Sequence, residues 1–424
     1  MIVEFSVKNF RSIKDLQTIS FVSTGLKSSE KYSYIDEKNI VPKNELNIFK
    51  TIGIYGSNAS GKSNIIKAFD YFIRAITREP SPTSRMKELC DPFLYQNKYS
   101  KTESFFQIVL IVEDIKYRYG FTIKKNEEIL SSDDTVSSNE IITNEWLYGK
   151  KEKNNGVLFT RSGFDIKNYL KNDQKIPPLA FPHSLFITQV AAFDKEGECQ
   201  KIRNYLRGMT TSNFNNDHAK YRWMSIDILD DESVRKNKEN FLNLLASFNL
   251  KYDDVVIQKD NESDLKPIFP QEKITLSKKY INEDKTVSDI SLNLGLNESA
   301  GTQKLFDLAG LLLRAFNLPK SGLIILDEID SNFHPSLLIR LVELFNNPEI
   351  NKSNSQLLFT SHDTNLMSPS IMRRDQFYFT EKNEDNSTRL YSLSDLKGIR
   401  NDADFAKQYL AGYYGALPIL ENFL

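Results

Sequence analysis

The chain has 424 residues, 40% of them hydrophobic, with 55 Lys and Arg against 56 Asp and Glu and a formal net charge of −1. That length supports a large core and predicts two lobes, while near-neutrality excludes a global basic field that would by itself demand nucleic acid and leaves a local basic face open. Cys90 and Cys199 form no Cys-x-x-Cys, which argues against a disulfide framework or a cysteine zinc site, and with neither a membrane-length apolar run nor a leader peptide we expect a cytoplasmic protein with no membrane partner.

In chain order, Thr51-Ile52-Gly53-Ile54-Tyr55 has the β-branched and aromatic bias of a buried strand. Gly56-Ser57-Asn58-Ala59-Ser60-Gly61-Lys62-Ser63 follows and reads GxxxxGKS. Ile65, Ile66, Phe69, Phe72, Ile73 and Ile76 then recur at helical spacing. Strand, glycine loop and helix in this order form a Walker A segment. Its backbone N–H groups point at phosphates, Lys62 reaches the β- and γ-phosphates of ATP, and the Ser63 hydroxyl ligates Mg²⁺. A tight glycine-rich turn is the alternative for the bare motif.

From Phe105 to Phe159 the pattern is of β-hairpins: 105–112, 117–123, 145–148 and 157–159, with polar turns such as 150–156. Between Cys199 and Leu250 it turns helical. There Val234, Phe241, Leu242, Leu244, Leu245 and Phe248 form one stripe after a polar cap at Asp231-Glu232-Ser233. The basic residues Arg235, Lys236 and Lys238, with Lys201, Arg203, Arg207, Lys220 and Arg222, suit either a solvated helix face or contact with nucleic acid or a partner.

Further on, Asn297-Glu298-Ser299-Ala300-Gly301-Thr302-Gln303-Lys304 opens an apolar helix carrying Leu305, Phe306, Leu308 and Leu312. Alone, it reads as an N-cap before a core helix. Gly322-Leu323-Ile324-Ile325-Leu326-Asp327-Glu328 is an apolar strand ending in two acids. Successive side chains at a strand end point opposite ways, so the acids take different roles: Asp327 holds Mg²⁺ and Glu328 is the general base that polarises the attacking water. A buried strand that merely ends in acids is the alternative. Gln356-Leu357-Leu358-Phe359-Thr360-Ser361-His362 is one more apolar strand, closed by Ser-His.

Walker A, a small hydroxylated helix start, Walker B, Asp330 and a Ser-His strand, in that order, resemble the ABC ATPases of the structural-maintenance, RecF-like and overcoming-lysogenization-defect group. The chain is especially similar to the AAA-type ATP-binding proteins of phage-defence and abortive-infection operons. The opening Val3–Ile13, Leu326-Asp327-Glu328-Ile329-Asp330-Ser331-Asn332-Phe333-His334-Pro335 and the tail Tyr409–Pro418 carry the likeness. It implies an α/β fold: an ABC-type head with a mixed central sheet, an antiparallel β subsheet and an inserted α-helical lobe. The expected parts are 1–95 with Walker A, 96–198 antiparallel, 199–255 helical, and 256–424 with signature, Walker B, D-loop and switch histidine.

By the same resemblance Asp330 lies at the D-loop across a homodimer of heads, His362 senses the γ-phosphate, and Ser299, Gly301 and Thr302 act in trans as the signature. Arg11 approaches the nucleotide, and a Q-loop glutamine is expected after a strand, as Gln189 or Gln96. The signature Glu-Ser-Ala-Gly-Thr-Gln departs from the Leu-Ser-Gly-Gly-Gln of transporters. No heptads or Cys-x-x-Cys hook mark a long-armed tether, and the tail after His362 is expected to be too short for a Toprim nuclease. Asp395, Asp402 and Asp404 end no apolar strand. The resemblance implies an ATP-hydrolysing switch that senses or regulates an operon-encoded effector, Toprim-type or RNA-cleaving, in antiphage defence. The alternative is a RecF-like repair ATPase that binds DNA directly.

Overall fold

The computed structural model describes residues 1–125, 140–151, 154–171, 175–213, 221–230, 235–258, 274–317, 322–331 and 333–418. Its centre is a six-stranded sheet in the order Thr210–Asn213, Leu323–Asp327, Gln356–Thr360, Thr51–Gly56, Phe377–Lys382, Thr388–Ser392. The first five strands run parallel, and the last returns antiparallel. Parallel strands covered on both faces must be apolar throughout. Ile52, Ile54, Leu323 and Ile325 accordingly enter one core, and their neighbours Tyr55, Ile324 and Leu326 enter a second core on the opposite face.

The first core is closed by a seven-stranded antiparallel sheet, Asp165–Asn168, Asn154–Ser162, Glu140–Lys151, Ile115–Lys125, Ser104–Val112, Ile2–Lys8, Gln17–Ser20. The expected hairpins build most of it, and the N-terminal segment adds two strands. Helix Lys62–Thr77 lies between the two sheets and buries its predicted stripe, with Phe69 stacked 4.1 Å from Phe5 and Phe72 5.4 Å from Phe121. Helix Glu198–Arg207 closes its C-terminus: Arg203 Nε donates to Ile76 O at 3.0 Å and Arg207 Nη2 to Thr77 O at 3.2 Å. Cations suit the carbonyl end of a helix.

The second core holds helices Arg222–Asp230, Arg235–Ser247, Ala300–Asn317 and Pro335–Asn346. Phe241, predicted for the stripe, packs 5.0 Å from Phe306. The segment expected to be purely helical also contains strand Thr210–Asn213, the edge of the central sheet. Strand Asp254–Ile257 then starts a three-stranded sheet with Ile274–Ile281 and Val287–Asn293. Four-residue strands are too short to announce themselves by alternation; pairing with Leu323–Asp327 creates the first. The cap Asp231-Glu232-Ser233, Val234, Lys220, Asn332 and part of the 150–156 turn lie outside the described residues.

The basic residues divide in a way neither sequence reading anticipated. Arg222 is 1% exposed and grips Asp307 at 2.8 and 3.1 Å, and Arg203 is also buried. Lys201 pairs with Glu113 and Lys238 with Asp254. The tail packs on the returning hairpin: Tyr409 and Tyr414 meet Phe379 at 5.4 and 5.7 Å, and Tyr391 Oη donates to Tyr414 O. No helix among the described residues is long and apolar enough to cross a membrane.

In the antiparallel sheet Glu145 and Arg161 form an ion pair with fully buried side chains. Glu145 also accepts from the Phe186 and Ile187 N–H groups at 2.7 and 2.9 Å and from Tyr119 Oη at 3.0 Å, which docks helix Phe186–Val190 on the sheet. Burial raises its pKa, and the Arg161 guanidinium opposes the shift. Glu145→Ala should leave Arg161 buried without its counter-charge and cost about 3–5 kcal/mol. Urea or thermal unfolding checks this; a loss under about 1 kcal/mol would contradict the role given to the pair.

Candidate nucleotide site

The parallel register places the carboxyl ends of three strands side by side, where open α/β sheets bind ligands. Leu326 pairs with Phe359 and Thr360 with Ile54, so Gly56, Asp327 and Thr360 sit at one rim. Beyond the first strand the chain turns through Gly56 at φ 150°, Ala59 at φ 60° and Gly61 at φ 109°, and helix Lys62–Thr77 begins. Glycine is needed at 61 on two counts, since φ there is left-handed and a Cβ would run into the Thr388 side chain.

The loop is held from behind by segments far away in sequence. Asn64 Nδ2 donates to Ser12 Oγ at 2.8 Å, and Thr388 Oγ1 donates to Ser60 O at 2.9 Å. With the threonine proton used there, the 2.7 Å contact between Ser12 and Thr388 runs from the serine. Ser60 Oγ meets Thr380 Oγ1 at 2.6 Å.

Lys62 is 6% exposed and folds over the loop, donating to Gly56 O at 2.8 Å and Ser57 O at 3.0 Å. Burial pushes its pKa down to about 8, against the pull of Asp327, Asp330 and Glu328. A desolvated ammonium at a helix N-terminus within a glycine cradle fits a polyphosphate, so these residues suit the group their motif implies.

On the neighbouring strand Asp327 is buried, its Oδ1 accepting from Thr360 Oγ1 at 2.6 Å. Glu328 follows in the left-handed region at φ 55°, and that turn directs it into the cleft. His362 reaches the same cleft, with its N–H donating to Asp330 Oδ2 at 2.9 Å. Partial burial and then the Lys62 cation lower its pKa, so the imidazole is neutral at pH 7.

One cleft of about 490 Å³ brings together Arg11, Asn58, Ala59, Ser60, Gly61, Lys62, Ser63, Glu328 and His362. Gly56, Ser57 and Asp327 are not part of its lining; the first two accept from Lys62, and Asp327 accepts from Thr360. Arg11 is fixed by Asp91, which accepts from its Nε at 3.0 Å and from its N–H at 2.7 Å, and by the rings of Phe10 and Tyr71 at 5.4 and 5.6 Å. Asp91, Tyr95 and Lys382 also line the wall, and no sequence motif marks them.

Two expectations fall outside this cleft. Gln189 does not follow a strand: it lies in helix Phe186–Val190 and donates to Pro177 O and Pro178 O. The strand beside Asp327 is Thr210–Asn213, with Asn213 in register with Asp327. The other candidate, Gln96, donates to Asp385 at 3.2 Å, also outside the cleft lining. Ser299, Gly301 and Thr302 stand at the start of helix Ala300–Asn317, away from the cleft of their own chain. Ser299 Oγ accepts from Thr302 N–H at 3.2 Å, a helix cap as the bare sequence suggests, and Ser299 is exposed.

The profile of the AAA-domain family described as putative AbiEii toxin, Type IV TA system, matches residues 52–168 and 170–368, which include both acids and His362. The chain belongs to that family. No curated protein matches it. Among solved structures this AAA domain is similar to the SMC head domain from Thermotoga maritima, at 12% identity over 92% of this chain and 98% of that one, with a TM-score of 0.42. It is similar also to the recombination mediator RecF of the RecFOR pathway, at 13% identity over 92% and 98%, with a TM-score of 0.33. The family profile and the cleft geometry support a nucleotide-binding ATPase class.

Lys62 provides a signed pH test. In the ligand-free AAA domain it loses its proton above pH about 8, and a bound polyphosphate favours the ammonium form. Nucleotide affinity should therefore fall as pH rises past about 8, and binding at pH 9 should be accompanied by net proton uptake. Calorimetry in buffers of different ionisation enthalpy measures this uptake. Lys62→Arg, charged at every working pH, should show none.

Proposed function

We propose that this chain hydrolyses ATP to ADP and phosphate at composite sites in a head-to-head dimer, and that the cycle is a switch acting on a partner effector in bacterial antiphage defence. The observation that carries the hydrolytic reading is the convergence of Lys62, Glu328 and His362, from three parallel strand ends, on one cleft. Lys62 and the loop N–H groups bind and orient the phosphates. Ser63 and Asp327 are the residues that would hold Mg²⁺, which when bound neutralises phosphate charge. Glu328 accepts a proton from the attacking water, and neutral His362 offers a hydrogen bond at the γ-phosphate end.

The exposed helix start at Ser299 supports the composite site, because it lies outside the lining of its own cleft and is open to a second copy. The family's toxin–antitoxin description supports the defence setting. By the same family likeness the effector is read as a separate chain, Toprim-type or RNA-cleaving and encoded nearby. The RecF-like reading, direct DNA binding, is weakened by the burial of Arg203 and Arg222.

Glu328→Gln should keep ATP binding and slow phosphate release at least about a hundredfold, because the base is lost while its size is kept. Lys62→Ala should lose binding instead. Wild-type turnover by Glu328→Gln would refute the assigned base.

In the Glu328→Gln background ATP should drive association of two chains, seen by sedimentation or light scattering. Adding Ser299→Arg should abolish that association while nucleotide binding persists. If association survives, or nucleotide binding disappears as it does in Lys62→Ala, Ser299 is only a helix cap.

A further inference from the structure

We infer that Thr360 is a positioning residue that sets both acids of the site, an inference that rests on the ATPase reading above. Thr360 is fully buried, one step beyond the pairing of Phe359 with Leu326. Its Oγ1 lies 2.6 Å from Asp327 Oδ1 and accepts from the Glu328 N–H at 2.8 Å. A backbone N–H only donates, so the single hydroxyl proton is directed at Asp327. That bond holds Oδ1 as an acceptor and leaves Oδ2 as the atom for a cation.

The same residue holds the turn that aims Glu328. Its carbonyl accepts from the Ile329 N–H at 3.0 Å, so the two N–H groups after Asp327 both end on Thr360. Glu328 has φ 55°, a conformation that non-glycine residues keep only when neighbours impose it. Thr360 thus couples the orientation of the metal-binding acid to that of the base. Valine has nearly the same shape and strand preference but can make neither side-chain bond.

The test uses the full chain with Thr360→Val, Thr360→Ala and Thr360→Ser. Mn²⁺ affinity is read by EPR with a non-hydrolysable ATP analogue, beside nucleotide affinity without metal and steady-state turnover. The valine and alanine variants should weaken Mn²⁺ about tenfold and lower kcat about a hundredfold, as loss of a ligand-orienting hydrogen bond does. Their metal-free nucleotide affinity should stay within about twofold of wild type. Thr360→Ser, which retains the hydroxyl, should recover both losses; this recovery separates positioning from packing. Wild-type Mn²⁺ binding and turnover in the valine variant, or a serine variant as impaired as valine, overturns the proposal. Failure of the wild-type chain to bind Mn²⁺ with nucleotide overturns the ATPase reading, and this inference with it.

Discussion

Parallel pairing of Leu323–Asp327, Gln356–Thr360 and Thr51–Gly56 is the constraint on which the rest depends. Each strand ends in a residue with chemistry just beyond it, and each end is separated from the others along the chain. A one-residue slip would turn the acids away from the loop, since strand side chains alternate between faces. Burial on both faces prevents the slip, because shifted strands would exchange the partners of two cores at once.

Electrostatics then follow from depth. Lys62 is buried beside three acids of the neighbouring turns but hydrogen-bonds to carbonyl oxygens, so its pKa falls despite their pull. The arrangement holds a poorly solvated cation against two loop carbonyls at the N-terminus of helix Lys62–Thr77, a setting that suits a polyphosphate. His362, beside the same cation, is kept neutral for the same reason.

The surrounding elements act mainly as braces. The returning hairpin holds the phosphate loop through Thr380 and Thr388, and Arg203 and Arg207 close the far end of the helix that follows it. In the second core Arg222 and Asp307 lock helix Arg222–Asp230 to the helix that begins at the Ser299 cap. Ser225 adds a bond to Phe306 O at 2.7 Å. The first two turns of that helix are therefore tied into the second core.

The amino-acid sequence by itself determined the Walker A loop, the acid pair after Leu326 and the stripe from Ile65 to Ile76. Their chemistry depends on local backbone geometry: a glycine at φ 109°, a strand end, a 3.6-residue period. Through a resemblance it also led to the expectation of Arg11 and His362 near a nucleotide, and both line the cleft. Only the tertiary structure decided that Thr360 binds Asp327, that Asp91 holds Arg11, that Glu145 is buried against Arg161, and that Gln189 lies away from the cleft. It alone showed Thr210–Asn213 beside Walker B. The physical reason is one of range. A threonine, a glutamate or a four-residue strand has the same local signature whether it faces solvent or a partner distant in the chain, and its role exists only once the register of the sheets brings that partner within hydrogen-bonding distance.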